Sequence, residues 1–294
     1  CIDGGKKEKV RAGDIIGALT KEAGLAFEKI GKIDINEKQG KLRLNSKAAT
    51  LNFTPVLRWP LPADKLTGQV DWTINNQVLD LEFNRLAIKN EHLEGELDAR
   101  FTSDGTKHYL DLTGHASKAD LKYGRFYYPN SISADTVAWL DKSILSGRGE
   151  DVNVRIKGDL KDYPFDGNKQ GILKVTANIK DAVLDYTDGW PKAEGIHLAM
   201  LFEGKRMELN ASAGHFFGNE IKKAKITIPD LETDDNMLDI VGELQSPVSE
   251  GVKFINASPI AKLANGFTDS LKTSGAGKLN LNLHIPLNNT DATK

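Results

Sequence analysis

With 294 residues, 39% of them hydrophobic and 27% charged, the chain has room for one or two domains and is too apolar for a disordered segment. A net charge of −2 gives no global attraction to nucleic acid or to an anionic membrane, and no run of about 18 apolar residues could cross a bilayer as a helix. Cys1 is the only cysteine, which excludes a disulfide framework or a thiolate metal site within this sequence.

Residues 1–36 read as a β-α-β piece. Asp14 is placed to cap a short helix to about Glu22, with Ile15, Ile16 and Leu19 apolar and Gly24 as its stop. Ile30, Ile33 and Ile35 then predict a strand. Lys6, Lys7 and Lys9 are not followed by an apolar stretch, so no secretory signal is expected. An opening Cys without Met suits an internal or processed piece of a longer chain.

From Glu37 onward the sequence is strand-rich. Strands are predicted near 41–45, 48–53, 67–74, 77–84, 86–89, 93–102, 108–116, 118–123, 152–160, 171–180, 182–186, 196–203, 206–212, 221–228, 237–245 and 278–285. The signal is alternation, because successive side chains of a strand point to opposite faces. Leu79, Leu81 and Phe83 interleave with Asp80, Glu82 and Asn84, and Val152, Val154 and Ile156 with Asn153, Arg155 and Lys157. Leu173, Val175, Ala177 and Ile179 repeat the pattern, as do Leu279, Leu281, Leu283, Ile285 and Leu287. Short turns such as Asn75-Asn76, Ser103-Asp104-Gly105 and Glu203-Gly204-Lys205 imply antiparallel neighbours joined as a meander. Two helices interrupt the strands. One runs from a Ser133 cap to about Leu145; the other opens on Ser258 and Pro259 and carries Ile260, Leu263, Phe267 and Leu271.

Catalytic and metal-binding patterns are missing from the text. The six histidines form no two-ligand spacing with a carboxylate and are expected on strand surfaces; His108 and His115 are expected on opposite faces. Asp230, Glu232, Asp234 and Asp235 crowd one loop but lack the calcium-loop spacing. No nucleophile elbow, phosphate loop or dinucleotide fingerprint occurs. The aromatic run Lys122–Tyr128 departs from the RNA-binding order and is expected to pack. The expectation is therefore a protein that is not an enzyme, with no metal and no cofactor.

Cys1–Lys7, Arg11–Leu19 and Ile30-Gly31-Lys32-Ile33 resemble the start of the C-terminal RNA-binding domain of DEAD-box helicases of the DbpA type. That resemblance implies a truncated RRM-like piece over 1–36, with Lys6, Lys7, Lys9 and Arg11 as candidate phosphate contacts. Residues 37–294 resemble the YhdP family of AsmA-like proteins, related to TamB. The carrying stretches are Gly40–Leu44, Trp59-Pro60-Leu61, Leu66–Trp72, Tyr128-Pro129, Thr136–Leu140, Ile156–Leu160, Tyr163-Pro164-Phe165, Leu184-Asp185-Tyr186, Gly189-Trp190-Pro191, Phe202-Glu203-Gly204 and Gly275–Leu287. The juxtaposition suggests a chimera with its seam near Asp34 to Glu37.

The second resemblance implies a mainly β fold, a long twisted antiparallel sheet forming an open apolar groove. It also implies a periplasmic protein attached to the inner membrane, carrying phospholipid acyl chains between inner and outer membranes. Leu79, Leu81, Phe83, Val152, Val154, Ile156, Leu173, Val175, Ile179, Leu279, Leu281, Leu283 and Ile285 are then the candidate lipid-lining residues. Alternation by itself favours a closed β-sandwich whose apolar face packs on itself; the resemblance reverses that order. An RNA-binding module through residues 1–36 and a passive sheet scaffold are further alternatives.

Overall fold

The computed structural model describes residues 30–36, 38–52, 57–167, 169–233 and 235–287, with the backbone alone for 30–36. The helix expected from Asp14, and Lys6, Lys7, Lys9 and Arg11, lie outside the described residues. The fold is mainly β. Thirteen strands make one sheet whose order follows the sequence from β1 to β13.

The chain divides into two compact units. The first holds the described residues of Cys1–Ala119, with Tyr123–Ser133 and Asn153–Leu173. Its full strands are β1 (Ile30–Asn36), β2 (Gln39–Leu51), β3 (Leu61–Asn75), β4 (Val78–Lys89) and β5 (Leu93–Ser103). β6 (His108–Asp120) follows them, all but its last residue in this unit. Each pairs antiparallel with the next. The second holds Asp120–Lys122, Ala134–Val152 and the described residues of Lys174–Lys294. It contains helix α1 (Ala134–Ser143), then β9 (Ala193–Glu203), β10 (Arg206–Phe216), β11 (Asn219–Ile228) and β12 (Met237–Pro247). Helices α2 (Val248–Asn256) and α3 (Ile260–Ala264) precede β13 (Ala276–Pro286). β7 (Ile144–Asp159) and β8 (Gly171–Leu184) contribute residues to both units, and β8 to β13 pair antiparallel in turn.

Several predicted strands are pieces of longer ones. The breaks expected within 41–53, 77–89 and 171–186 are single residues in the left-handed region: Ala48 at φ 55°, Arg85 at φ 46° and Asp181 at φ 51°. A bulge shifts the alternation by one residue while the strand continues, so in sequence it looks like a turn. The predicted hairpin at Asn75-Asn76 is present, with Asn76 at φ 48° and Gln77 at φ 67°, the mirror-image turn that suits strand twist. At the β5–β6 turn, the backbone N–H of Lys107, together with Thr106, holds the Asp104 carboxyl down at about 2. β7 begins eight residues before its alternation does. There Gly147, at φ 147°, lies against β8, and a Cβ on it would sit 3.0 Å from that of Ala182.

The end of the chain needs two corrections. The helix expected from Ser258 to about Leu271 is only Ile260–Ala264, stopped by Asn265 at φ 51°. Half of the expected apolar stripe stands in solvent: Leu263 is 85% and Phe267 73% exposed. The helix that does pack is α2, which sequence reading missed because Pro247 gives it no side-chain cap. The stretch 118–123, expected as a strand, ends at Asp120 and continues as a 3-10 segment, Leu121–Tyr127.

Candidate functional site

In the first unit the registers stack apolar side chains into rows across the strands. Leu42, Val70, Phe83, Ala99 and Leu112 stand opposite one another in turn. Gly40, Trp72, Leu81, Phe101 and Leu110 make the next row, then Ile74 and Leu79. Val154 belongs to the same face, beside Gly114 and Leu97. Ile156 follows it by alternation, and Leu173 is half-buried on β8.

One end of this face is covered. Phe126 and Tyr127 pack on the cluster of Leu42, Leu44, Ala49 and Leu66. Under them lies a polar network. The Asn90 side chain donates to the carbonyl of Pro62 (2.7 Å) and to the Tyr127 hydroxyl (3.2 Å). Its oxygen accepts from the backbone N–H groups of His92 and Leu93. Tyr127 and His92 Nδ1 are 2.8 Å apart, and the His92 ring stacks on Tyr123 and Phe126. At 5% exposed, His92 is not the surface histidine expected from sequence. The aromatic run does pack, as expected.

The second unit repeats the arrangement. Ala177, Met200, Leu209, Ile226, Ile240 and Leu283 form one row. Ile179, Leu198, Ala211, Ala224, Gly242 and Leu281 form another. Val175 begins a third through Phe202, Met207 and Ile228, and Ile285 and Leu279 stand opposite Leu238 and Leu244. Val152 packs against the buried cluster of Ala177, Ile179, Ala182, Ala193 and Ile196. Beyond that cluster Phe254 of α2 meets Trp190 and Phe216, which meets Tyr186 in turn. Elsewhere the face is only half-buried, and Leu279 and Leu283 are 54% and 40% exposed.

The candidate residues therefore fall into two groups, one per unit, each on an apolar sheet face. Sequence reading did not count Trp72, Phe101, Leu112, Met200, Phe202, Met207, Leu209, Ile226 and Ile240 among the lining residues. The alternation of Leu110 with Leu112, Met207 with Leu209 and Leu238 with Ile240 would have found several of them.

The opposite face is charged and largely self-matched. Lys41 reaches Asp71 (3.3 Å), Lys157 reaches Asp111 (3.1 Å), Arg148 reaches Asp181 (2.6 Å) and Lys225 reaches Glu208 (3.1 Å). The Arg155 guanidinium holds the Asp111 carboxyl below its usual range. Exposed pairs like these are worth about 0–1 kcal/mol each and keep that face solvated rather than sticky. His197, His215 and His284 also meet carboxylates there. The registers put His108 and His115 on opposite faces. Ser103 and His108 bond across an exposed hairpin at 2.9 Å. No group of three metal-ligating side chains occurs among the described residues, and no described helix is long and apolar enough to cross a membrane.

A family model described as YhdP protein matches residues 23–294. The chain belongs to the YhdP family. The family match begins at residue 23, and β1 pairs with β2 as the first strand of the sheet. This YhdP-family chain is also 58% identical over 36 residues to the ATP-dependent RNA helicase DbpA of Escherichia coli (strain K12). That stretch is 12% of this chain and 8% of the helicase. No solved structure matches the chain.

Proposed function

We propose that this YhdP-family chain is a non-catalytic, lipid-holding segment of an AsmA-like envelope protein. Phospholipid acyl chains lie along its apolar sheet faces on their way between the inner and outer membranes, in the periplasm. The observation that carries this reading is the half-exposed apolar row. Every described strand belongs to one sheet, so within each unit no second layer of strands covers the face. A six-strand row spans about 24 Å at about 4.8 Å per strand. That exceeds half of the ~30 Å hydrocarbon core of a bilayer, the depth one leaflet's chains occupy. Burial is favourable by about 0.8 kcal/mol per methylene, so such a face can hold acyl chains without a dedicated polar site. Leu79, Leu81, Phe83, Val154, Ile156 and Leu173 line it in the first unit, and Val152, Val175, Ile179, Leu279, Leu281, Leu283 and Ile285 in the second.

The test is native mass spectrometry of the full chain purified from a Gram-negative host. Wild type should retain phospholipid, and Leu283→Asp should lose much of it while its circular dichroism stays unchanged, because that position is already 40% exposed. A folded wild type that carries no lipid, and takes none up from vesicles, sinks the reading. The helicase-like stretch supports a second reading, RNA contact through Lys6, Lys7, Lys9 and Arg11. It requires RNA affinity that falls steeply with salt.

A further inference from the structure

On the charged face of the first unit one cross-strand row is not matched as its neighbours are. Lys47 stands directly opposite Lys65, Lys65 opposite Lys89, Lys89 opposite Glu94, and Glu94 opposite Lys118. Directly opposed side chains have Cβ atoms about 4.5–5.5 Å apart, and like charges placed so are destabilising. Elsewhere on the same face cations meet carboxylates: Lys41 with Asp71, Arg100 with Asp80, Arg155 and Lys157 with Asp111. In this row Lys89 reaches Glu94 at 2.6 Å, and Lys118 donates to the Glu91 carbonyl at 3.0 Å. Neither Lys47 nor Lys65 forms a salt bridge among the described residues, nor does Arg43 further along β2.

The row borders a hollow of about 280 Å³. Its floor is Ala87, whose small side chain stands between Thr67 and Glu96, with His115 beyond. Lys65, Lys89, Thr67, His115 and Ser117 line it with donors; Glu94 and Glu96 line it with acceptors. The Lys89 ammonium, with Lys118 and Lys65, holds the Glu94 carboxyl below its ordinary range. Row and hollow together set Lys47, Lys65, Lys89 and Lys118 against Glu94 and Glu96, an excess of two positive charges beside a space large enough for a compact anion.

We infer that this lysine row and its hollow bind a phosphate group, carried either by a soluble phosphate ester or by an anionic lipid headgroup. A multivalent, compact oxyanion suits the geometry. Lys65 and Lys89 border the hollow as point charges, and the Thr67 hydroxyl supplies a directional donor. The site is on the side of the sheet away from the apolar rows, so it stands whether or not those rows hold lipid.

The experiment is thermal unfolding of the full chain at constant ionic strength with inorganic pyrophosphate, paired with flotation on phosphatidylcholine vesicles with and without phosphatidylglycerol. Wild type should gain melting temperature with pyrophosphate, or float with the anionic vesicles alone; the first result assigns a soluble ester and the second a headgroup. Lys47→Gln with Lys65→Gln should weaken the response about tenfold. Without ligand the same pair should melt no lower than wild type, because it removes repulsion and no ion pair. Lys262→Gln with Lys272→Gln, two lysines equally without ion partners on the second unit, makes the same charge change and should leave the response intact. Wild type that responds to neither probe, or a control pair that loses as much as the row, overturns the inference.

Discussion

Gly40→Ala puts a single methyl into the best-fitted contact of the first unit. Gly40 stands opposite Trp72, and a Cβ there would lie 2.0 Å from Cζ2 of the indole, 2.4 Å from Cε2 and 2.5 Å from Cη2. Non-bonded carbons settle at about 3.5–4.0 Å, so the ring would have to lift by about 1.5 Å. Trp72 is only 8% exposed and belongs to the cluster of Leu42, Leu44 and Leu66. A rigid bicycle cannot yield by a rotamer change at its tip, as a Lys or Met end could. Overpacking costs about 1–3 kcal/mol, and this site belongs near the upper end. Urea unfolding followed by circular dichroism and tryptophan emission should show a loss of about 2–3 kcal/mol. In Gly40→Ala with Trp72→Leu the smaller side chain leaves room for the methyl, so the double variant should lose at least about 1 kcal/mol less than the sum of the singles. A Gly40→Ala protein within about 0.5 kcal/mol of wild type, or strict additivity, would refute the packing argument.

Two further outcomes are expected. Asn90→Ala strips the partners from two backbone N–H groups and the Pro62 carbonyl beneath the aromatic cap, and should cost at least about 2 kcal/mol in urea unfolding; a neutral result would mean water replaces the amide freely. Burial pushes the Tyr127 and Tyr186 phenols up to about 12, so the folded state favours their neutral forms. That stability is whole below the unfolded value of about 10 and is lost as pH rises toward 12. The urea midpoint should fall across that window, with a shallower slope in Tyr127→Phe with Tyr186→Phe. Equal slopes would contradict the burial effect.

Much of the fold is legible in the chain, and the failures are instructive. Alternation located β5, β11, β12 and β13 nearly to their ends, because a strand with one wet face must place its apolar residues two apart. It misplaced the strands containing Ala48, Arg85 and Asp181, where one left-handed residue inverts the pattern. It promoted Leu263 and Phe267 to a helix face that has no partner and overlooked Phe254, whose partners Trp190 and Phe216 are remote in sequence. His92 looks like any turn histidine, yet it is buried by Tyr123, Phe126 and Tyr127, some thirty residues downstream.

The sequence by itself determined that the strands are one-sided, that short turns join them in order, and that no catalytic motif lies over them. These are local properties, set by side-chain period and by which residues tolerate a positive φ. Only the tertiary structure decided the register. Bulges and close-approach glycines choose which residues of neighbouring strands meet, and a slip of one residue exchanges the faces. The rows through Trp72 and Met200, and the opposition of Lys47, Lys65 and Lys89, exist only in that register, since each brings together residues that the chain keeps nine to forty-three positions apart.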